Sequence, residues 1–321
     1  MTTRHLVHPE LTGFLDQYPT LEMTQERLVF LRGSRPAADI RGTEEVQVEE
    51  RYIEWNSGSQ PIRVLVFRPV SKKMALPVII HIHGGGYLLG KPEDNIQENI
   101  ELALSCGCAI VSVAYRLAPE FPYPAALDDC HAVLAWLYHN AALLQIDKTR
   151  IAIKGESAGG GLAASLALRA RDEGLYSIVL LILIAPMLEY PMDQIKRKSN
   201  PFSGEFIWTK GSNIFAWKAY LGNLYGQVDI PTYAAAGNSC SLNGLPPTFL
   251  AVGSLDLFLE EDVDFALRLN QSGVSAEIHV YPGAYHSFQR AGDTSFLKRL
   301  KHDYRAAVRN SFCNGDIKDD R

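Results

Sequence analysis

The chain has 321 residues, 47% of them hydrophobic, with 31 Lys+Arg against 36 Asp+Glu and a formal net charge of -5. That balance leaves no basic face for nucleic acid, and the length suits one α/β domain with a large core. The longest apolar stretch, Ile178 to Leu188, is too short to span a bilayer, and Met1 to His5 open no apolar run, so neither a membrane span nor a secretory signal is expected and the chain reads as cytoplasmic.

In chain order, residues 1 to about 40 stand outside any strand–helix alternation. Strand-like runs at 46 to 55 and 61 to 70 are split by Asn56-Ser57-Gly58-Ser59, a hairpin signal. The apolar strand at 78 to 83 leads into His83-Gly84-Gly85-Gly86-Tyr87. Consecutive glycines let the backbone approach a reacting oxygen, and an N–H from a loop after an early strand is one part of an oxyanion hole in strand–turn–helix hydrolases. Gly85 and Gly86 are the candidate donors, each such donor being worth about 3 kcal/mol in the transition state. His83 is expected to position this loop by bonding nearby backbone, with Gly84 in support. Gly85 to Lys91 also fits a phosphate-binding loop up to its lysine, but Pro92 follows and offers neither a hydroxyl nor an N–H.

Helices are expected near 94 to 105 and 124 to 140, around a strand at 109 to 114. The five cysteines are an odd number without a CxxC pair and suit free thiols in a reducing compartment. Cys106-Gly107-Cys108 has no neighbours at zinc-site spacing and reads as small buried hydrophobes, so no metal is expected.

A strand at 150 to 155 runs into Gly155-Glu156-Ser157-Ala158-Gly159, and a helix of small residues at 158 to 173 runs out. In such a turn the serine sits at a strained backbone position, and the residues two before and two after must be tiny. Gly155 and Gly159 meet that demand. Ser157 would then stand off the end of a sheet beside the free N–H groups of the new helix, Ala158 first, where the positive end of the dipole favours an oxyanion. A GxSxG arises by chance often enough that its partners must decide. Gly159 to Ala164 also fits a dinucleotide GxGxxA fingerprint, but its first glycine lies after the turn, and the strand at 178 to 185 ends without an acidic residue placed for a ribose.

The segment from about 190 to 235 again falls outside the alternation and, with residues 1 to about 40, is expected to form a cap on a single domain. Its rings, Phe206, Trp208, Phe215 and Trp217 among them, are expected to divide between the wall of an apolar acyl or aryl pocket, faced by two or three of them, and the cap's own small core, and Tyr87 joins the pocket candidates. Lys196-Arg197-Lys198 reads as a solvated charge run, the alternative being attraction of an anionic substrate.

The strand at 247 to 253 ends at Ser254-Leu255-Asp256, on the side where open α/β sheets place functional loops, and Asp256 is the candidate acid. Glu260, Glu261 and Asp262 read as the acidic first turn of a helix at 260 to 272. The last strand, 276 to 281, leaves through Pro282-Gly283-Ala284-Tyr285-His286, and a final helix is expected at 294 to 311. His286 is the candidate base, taking the Ser157 proton while Asp256 fixes its tautomer. His5, His8, His131, His139, His279 and His302 read as surface or satisfied groups. The strand at 276 to 281 also offers an edge open to pairing in a homodimer, unless a helix covers it.

Taken together, these residues resemble the hormone-sensitive-lipase branch of the α/β-hydrolase superfamily. The matching segments are His83 to Tyr87, Tyr115-Arg116-Leu117-Ala118-Pro119-Glu120, Pro124-Ala125-Ala126-Leu127-Asp128-Asp129, Gly155 to Gly160, and the Asp256 and His286 loops. They follow one another in order over most of residues 77 to 290, and Pro9-Glu10-Leu11 with Phe14-Leu15-Asp16 is similar to the helical arm that opens such proteins. The resemblance implies an eight-stranded, mostly parallel α/β-hydrolase sheet flanked by helices, a helical cap, and carboxylesterase chemistry on short or medium acyl chains without a cofactor. Glu156 stands where the commonest form of the motif has aspartate, which implies altered surroundings of the serine rather than lost chemistry. The branch also holds a plant hormone receptor that lacks the histidine and dehydratases acting on flavonoid-like substrates; His286 argues against the first outcome and not the second. The expected activity is hydrolysis of a small-molecule ester through an acyl-enzyme on Ser157. Lactonase, deacetylase or dehydratase chemistry, or a non-catalytic ligand-binding homologue, stand as alternatives.

Overall fold

The computed structural model describes residues 2–18, 20, 22–34, 40–55, 60–71, 75–190 and 200–313. Eight strands form one sheet: β1 (Val46–Ile53), β2 (Ile62–Pro69), β3 (Leu76–Ile82), β4 (Ala109–Val113), β5 (Ile146–Glu156), β6 (Leu180–Ile184), β7 (Thr248–Gly253) and β8 (Ala276–Tyr281). Their order across the sheet is β1-β2-β4-β3-β5-β6-β7-β8. The β1/β2 and β2/β4 pairs are antiparallel and every later pair is parallel.

Parallel strands buried on both faces read as continuous apolar runs, which is why β3, β4, β6 and β7 are buried along their whole length. Successive side chains feed opposite cores. Val78, Ile80, Ile82, Leu181 and Leu183 enter one apolar cluster together with residues of α4 (Ala125–His139), α6 (Ala158–Glu173) and α8 (Leu259–Gln271). Ile79, Leu180, Ile182 and Ile184 enter the other, with α1 (Pro9–Gln17), α3 (Ile96–Cys106) and α9 (Ser295–Cys313). Helix α9 shows the pattern most plainly, burying Phe296, Leu300, Tyr304, Val308 and Phe312, one residue per turn.

The expected strands and helices form, with small shifts at their ends. Strand β5 begins at Ile146 rather than at 150, because Ile146 already pairs with Leu76 before a shift of register between Leu76 and Val78. The hairpin signal Asn56-Ser57-Gly58-Ser59 and the charge run Lys196-Arg197-Lys198 lie outside the described residues. The short helix α5 (Ala141–Leu144) is an addition to the sequence reading, and in the 190–235 segment, expected as part of a helical cap, lies α7 (Lys210–Leu221). Helix α7 buries Ser212, Asn213, Ala216, Trp217, Tyr220 and Leu221, a mixture of polar and aromatic residues that leaves no clean apolar stripe for periodicity to detect.

The N-terminal arm, carrying α1 and α2 (Gln25–Gly33), crosses to the segment that follows β6. Met23 N–H donates to Ser212 Oγ at 2.9 Å, Thr209 Oγ1 to Glu22 Oε2 at 2.8 Å, and Ile207 N–H to Thr20 Oγ1 at 2.9 Å. The two segments outside the βα alternation are thus fastened to each other at the end of the sheet that carries Ser157.

Candidate active site

The turn between β5 and α6 places Ser157 at φ 54°, ψ -122°, a left-handed backbone rarely adopted by residues other than glycine. Its closeness explains the glycines on either side. A Cβ on Gly155 would overlap the Gly159 carbonyl, and one on Gly159 would overlap the carbonyls of Ile82 and His83. Ser157 N–H donates to Ile184 O at 2.9 Å, and Ser157 O accepts from Met187 N–H at 2.9 Å and Gly161 N–H at 3.0 Å, so the strained residue is tied to the end of β6.

The loops after β7 and β8 bring Asp256 and His286 to the same point. Their backbones are laced together: Ser254 N–H donates to Tyr281 O, Leu255 N–H to Ala284 O at 2.8 Å, and Gly283 N–H to Ser254 Oγ at 2.8 Å. His286 Nδ1 lies 2.9 Å from Asp256 Oδ2 and 3.1 Å from Oδ1, while His286 Nε2 lies 2.9 Å from Ser157 Oγ. Asp256 is fully buried and its Oδ1 also accepts from Phe258 N–H at 3.0 Å. The ring of Phe258 meets the imidazole edge-on at 5.2 Å. Dry walls of this kind hold an imidazole between a carboxylate and a hydroxyl without competition from water.

On the other side of Ser157, the turn after β3 runs through three successive left-handed residues, Gly85 (φ 125°), Gly86 (φ 63°) and Tyr87 (φ 62°). Among the described residues neither Gly85 nor Gly86 donates its N–H to a protein acceptor. Gly85 O instead accepts from Leu88 and Leu89 N–H. Gly84 packs against the nucleophile turn, a Cβ there lying 3.4 Å from Ser157 Cβ. The His83 ring sits 2.8 Å from Gly84 O through Nδ1 and stacks on Tyr115 at 4.2 Å, and Tyr115 OH donates to His83 O at 2.9 Å. Ala158 opens α6, where the first N–H groups have no partner within the helix.

A cavity of about 530 Å³ opens on this point, lined by His83, Gly84, Gly85, Gly86, Glu156, Ser157 and His286. Of the five aromatic pocket candidates, Trp208 is the one among its lining residues, its ring pressed against Gly86 and 6.1 Å from that of His286. Tyr87 and Trp217 are buried side by side at 5.7 Å, with Tyr87 stacked on Tyr220 at 3.9 Å. Phe206 packs on Tyr285 at 6.0 Å, and Phe215 lies partly buried against the core. These rings build the foundations of the 200–225 segment. Met23, Leu89 and Ile207 add apolar surface to the cavity, and Asp94, Glu98 and Lys301 give it a polar far wall.

Beneath Ser157 lies a buried ion pair whose lysine sequence reasoning missed. Lys154, fully buried in β5, pairs with Glu156 and, at 3.0 Å, with Glu98 of α3. Burial opposes its charge, but the two carboxylates outweigh that and hold the ammonium above its usual range. Glu156 is likewise penalised by burial, yet Lys154 holds its carboxyl well below the usual carboxylate range. Its other neighbours are Asn95, at 3.5 Å, and His81, whose Nε2 is 3.9 Å away. Burial pushes the His81 imidazole down, keeping it neutral, with Nδ1 2.9 Å from Ser112 Oγ. The signal was in the sequence: a lysine inside an apolar strand, with a glutamate two residues on and therefore on the same face, requires a buried pair.

Glu260, Glu261 and Asp262 form the acidic first turn of α8 as expected, and Glu261 and Asp262 are buried there. The turn faces the chain leaving β6, where Glu261 Oε1 accepts from Leu188 N–H at 2.8 Å. Burial pushes both carboxyls well above their usual range, helped for Asp262 by the nearby Glu261, Asp256 and Glu189. Among the other histidines, His131 Nε2 meets Glu173 at 2.6 Å and His8 caps α1. All five cysteines are free thiols, Cys108 and Cys130 buried and Cys106 partly so. Among the described residues no group of three or more His, Cys, Asp or Glu side chains is gathered as a metal would need, and no helix is long and apolar enough to cross a membrane.

Residues 79–290 match a protein family described by its alpha/beta hydrolase fold. The carboxylesterase NlhH of Mycobacterium tuberculosis is 34% identical over 244 residues, 76% of each chain. Among solved structures, a bacterial heroin esterase superposes with a TM-score of 0.86 at 32% identity, covering 97% of this chain and 99% of its own. The esterase LipW from Mycobacterium marinum gives a TM-score of 0.83 at 31% identity over 96% and 97%.

Proposed function

This chain belongs to the alpha/beta hydrolase fold family, in its hormone-sensitive-lipase-like esterase branch, and on that premise we propose that it is a serine carboxylesterase. It hydrolyses short to medium acyl or aryl esters of small molecules through an acyl-enzyme, without a cofactor. The observation that carries this reading is the unbroken chain of hydrogen-bond distances from Asp256 through His286 to Ser157, opening on the 530 Å³ cavity.

In this reading Ser157 Oγ attacks the ester carbonyl while His286 Nε2 takes its proton. Asp256 fixes the tautomer that leaves Nε2 free to accept, and stabilises the imidazolium that forms. The carbonyl oxygen becomes an oxyanion held by the N–H groups of Gly85, Gly86 and Ala158. As the tetrahedral intermediate collapses, the ester C–O bond breaks and the imidazolium gives its proton to the departing alcohol. Water then enters, loses a proton to His286 and attacks the acyl carbon, and its collapse returns that proton to Ser157 and frees the acid. His83 and Gly84 support the oxyanion turn, and the pairing of Glu156 with Lys154 anchors the strand end behind the serine. The arm and the segment after β6 act as the cap of this single domain, with Trp208 its contribution to the pocket wall. The setting is cytoplasmic, and the half-exposed edge strand β8, paired on one side with β7, is where a homodimer would form.

Release of nitrophenol from nitrophenyl esters of increasing acyl length tests the reading, with Ser157→Ala alongside. Turnover in the native protein, absent in the variant and strongest at short or medium chains, is the expected outcome. A folded native protein inert toward every ester would sink it.

A further inference from the structure

The oxyanion turn is strained, and it is held from more than one side. Three residues in a row take left-handed φ, one of them the tyrosine Tyr87, a conformation that persists only where the surroundings enforce it. At its start the turn is gripped from inside the domain by His83 and Tyr115. At its far end the grip comes from outside the βα core, from the N-terminal arm.

Helix α2 docks through Leu28, which is buried in the main core, and Arg32, one turn further on, shares that face. The Arg32 guanidinium reaches Leu88 O through Nε at 3.0 Å and through Nη2 at 2.9 Å, and Ala118 O through Nη2 at 2.6 Å. Nη1 meets both carboxylate oxygens of Glu120, at 2.7 and 2.8 Å. Leu88 N–H in turn donates to Gly85 O, and Ala118 N–H to Tyr87 O. One planar side chain therefore bridges the turn that carries Gly85 and Gly86 to the segment that backs it. A lysine, a point charge without a fixed fork, has no equivalent geometry.

We propose that Arg32 is a positioning residue for the oxyanion hole, so that the N-terminal arm sets the rate of acyl transfer as well as covering the pocket. The inference rests on the esterase reading above. Arg32 touches no reacting atom; it acts by holding the amides of Gly85 and Gly86 where charge develops. Because such amides stabilise the transition state more than the bound ester, loosening them lowers kcat and leaves KM nearly unmoved.

The test compares the native protein with Arg32→Ala, Arg32→Lys and Glu120→Gln, each checked for folding by circular dichroism. With a nitrophenyl ester, Arg32→Ala is expected to lower kcat by about 10- to 100-fold, a part of what losing a whole donor costs, with KM changed less than about threefold. Affinity for a trifluoromethyl ketone, which becomes an oxyanion on Ser157, falls in step with kcat/KM. Methylguanidinium restores part of the rate, Arg32→Lys recovers little, and Glu120→Gln, which keeps both carbonyl contacts, costs less than about threefold. Hydrogen–deuterium exchange reads the same claim without turnover: peptides covering 84–90 exchange faster in Arg32→Ala. A raised KM at unchanged kcat, or exchange at 84–90 identical to the native protein, overturns the proposal and leaves Arg32 a tether of the arm. Loss of native turnover altogether, with exchange still faster in the variant, would instead count against the esterase reading.

Discussion

The two flanks of Ser157 are built on different plans. On one, Asp256 and His286 ride on loops from adjacent strands that two backbone hydrogen bonds and one from Gly283 N–H to the Ser254 hydroxyl join together. On the other, the turn holding Gly85 and Gly86 curls through three left-handed residues, and its outer end is held by Ala118 N–H, which donates to Tyr87 O, and by an arginine 56 positions earlier in the chain than Leu88. Unstrained, mutually laced loops tolerate the loss of one tie, whereas a strained turn that takes one of its ties from the arm tolerates it less. Acid–base geometry is thus a property of the sheet, and oxyanion geometry a property of the sheet together with the arm.

The contrast is sharpest at Gly86. An alanine there needs a left-handed backbone and places its Cβ in the Trp208 ring, so either the turn or the pocket wall has to move. Gly86→Ala is expected to lower kcat by about 100-fold or more, the scale of one lost oxyanion donor. Steady-state kinetics with a fixed nitrophenyl ester check this, and near-native kcat would show that the turn is less committed than its geometry implies.

Under the acid flank lies a stored cost. Among the described residues, both carboxylate oxygens of Asp262 are buried without a hydrogen-bond partner, facing Glu261, Asp256 and Glu189. Its raised folded pKa means that the native state binds this proton more tightly than the unfolded chain. The resulting stabilisation is complete below the unfolded value of about 4 and is lost as pH rises through the folded value. Asp262→Asn removes that dependence, so its stability relative to the native protein is expected to grow as pH rises above about 4. Urea titrations at three pH values measure it, and a constant difference would contradict the burial argument.

The smallest effect belongs to Ser254→Ala. It removes the acceptor of Gly283 N–H, one bond of the lacing between the acid and base loops. A loss of about 1 kcal/mol in stability and less than about threefold in kcat is expected, because the bonds from Leu255 to Ala284 and from Ser254 to Tyr281 remain. A fall as large as that for Arg32→Ala would erase the difference between the flanks.

What the sequence made legible follows the same division. Ser157, Asp256 and His286 each sit just past a parallel strand, β5 buried over its last six residues, β7 along its whole length and β8 at the sheet edge, and local pattern is enough to propose such positions. Gly85 and Gly86 are legible because only glycine suits that turn. Arg32 is not, since its acceptors are backbone carbonyls 56 and 86 positions away, and a carbonyl carries no sequence signal. The Lys154–Glu156 pair is half legible: both residues lie in one strand, but Glu98 arrives from α3. Aromatic density after β6 suggests a pocket wall of two or three rings. Which ring faces the cavity depends on how α7 docks, and only Trp208 among the candidates lines it.

The claim on which everything else rests is that Ser157 is the nucleophile, and covalent labelling addresses it most directly. The native protein and His286→Ala would be treated with a small organophosphonate, digested, and the adduct located by mass spectrometry. The expected result is one phosphonyl group per chain on the peptide containing Ser157, formed at least a thousandfold more slowly when the histidine is absent. Folded native protein that takes no label, or takes it on another residue, would contradict the assignment.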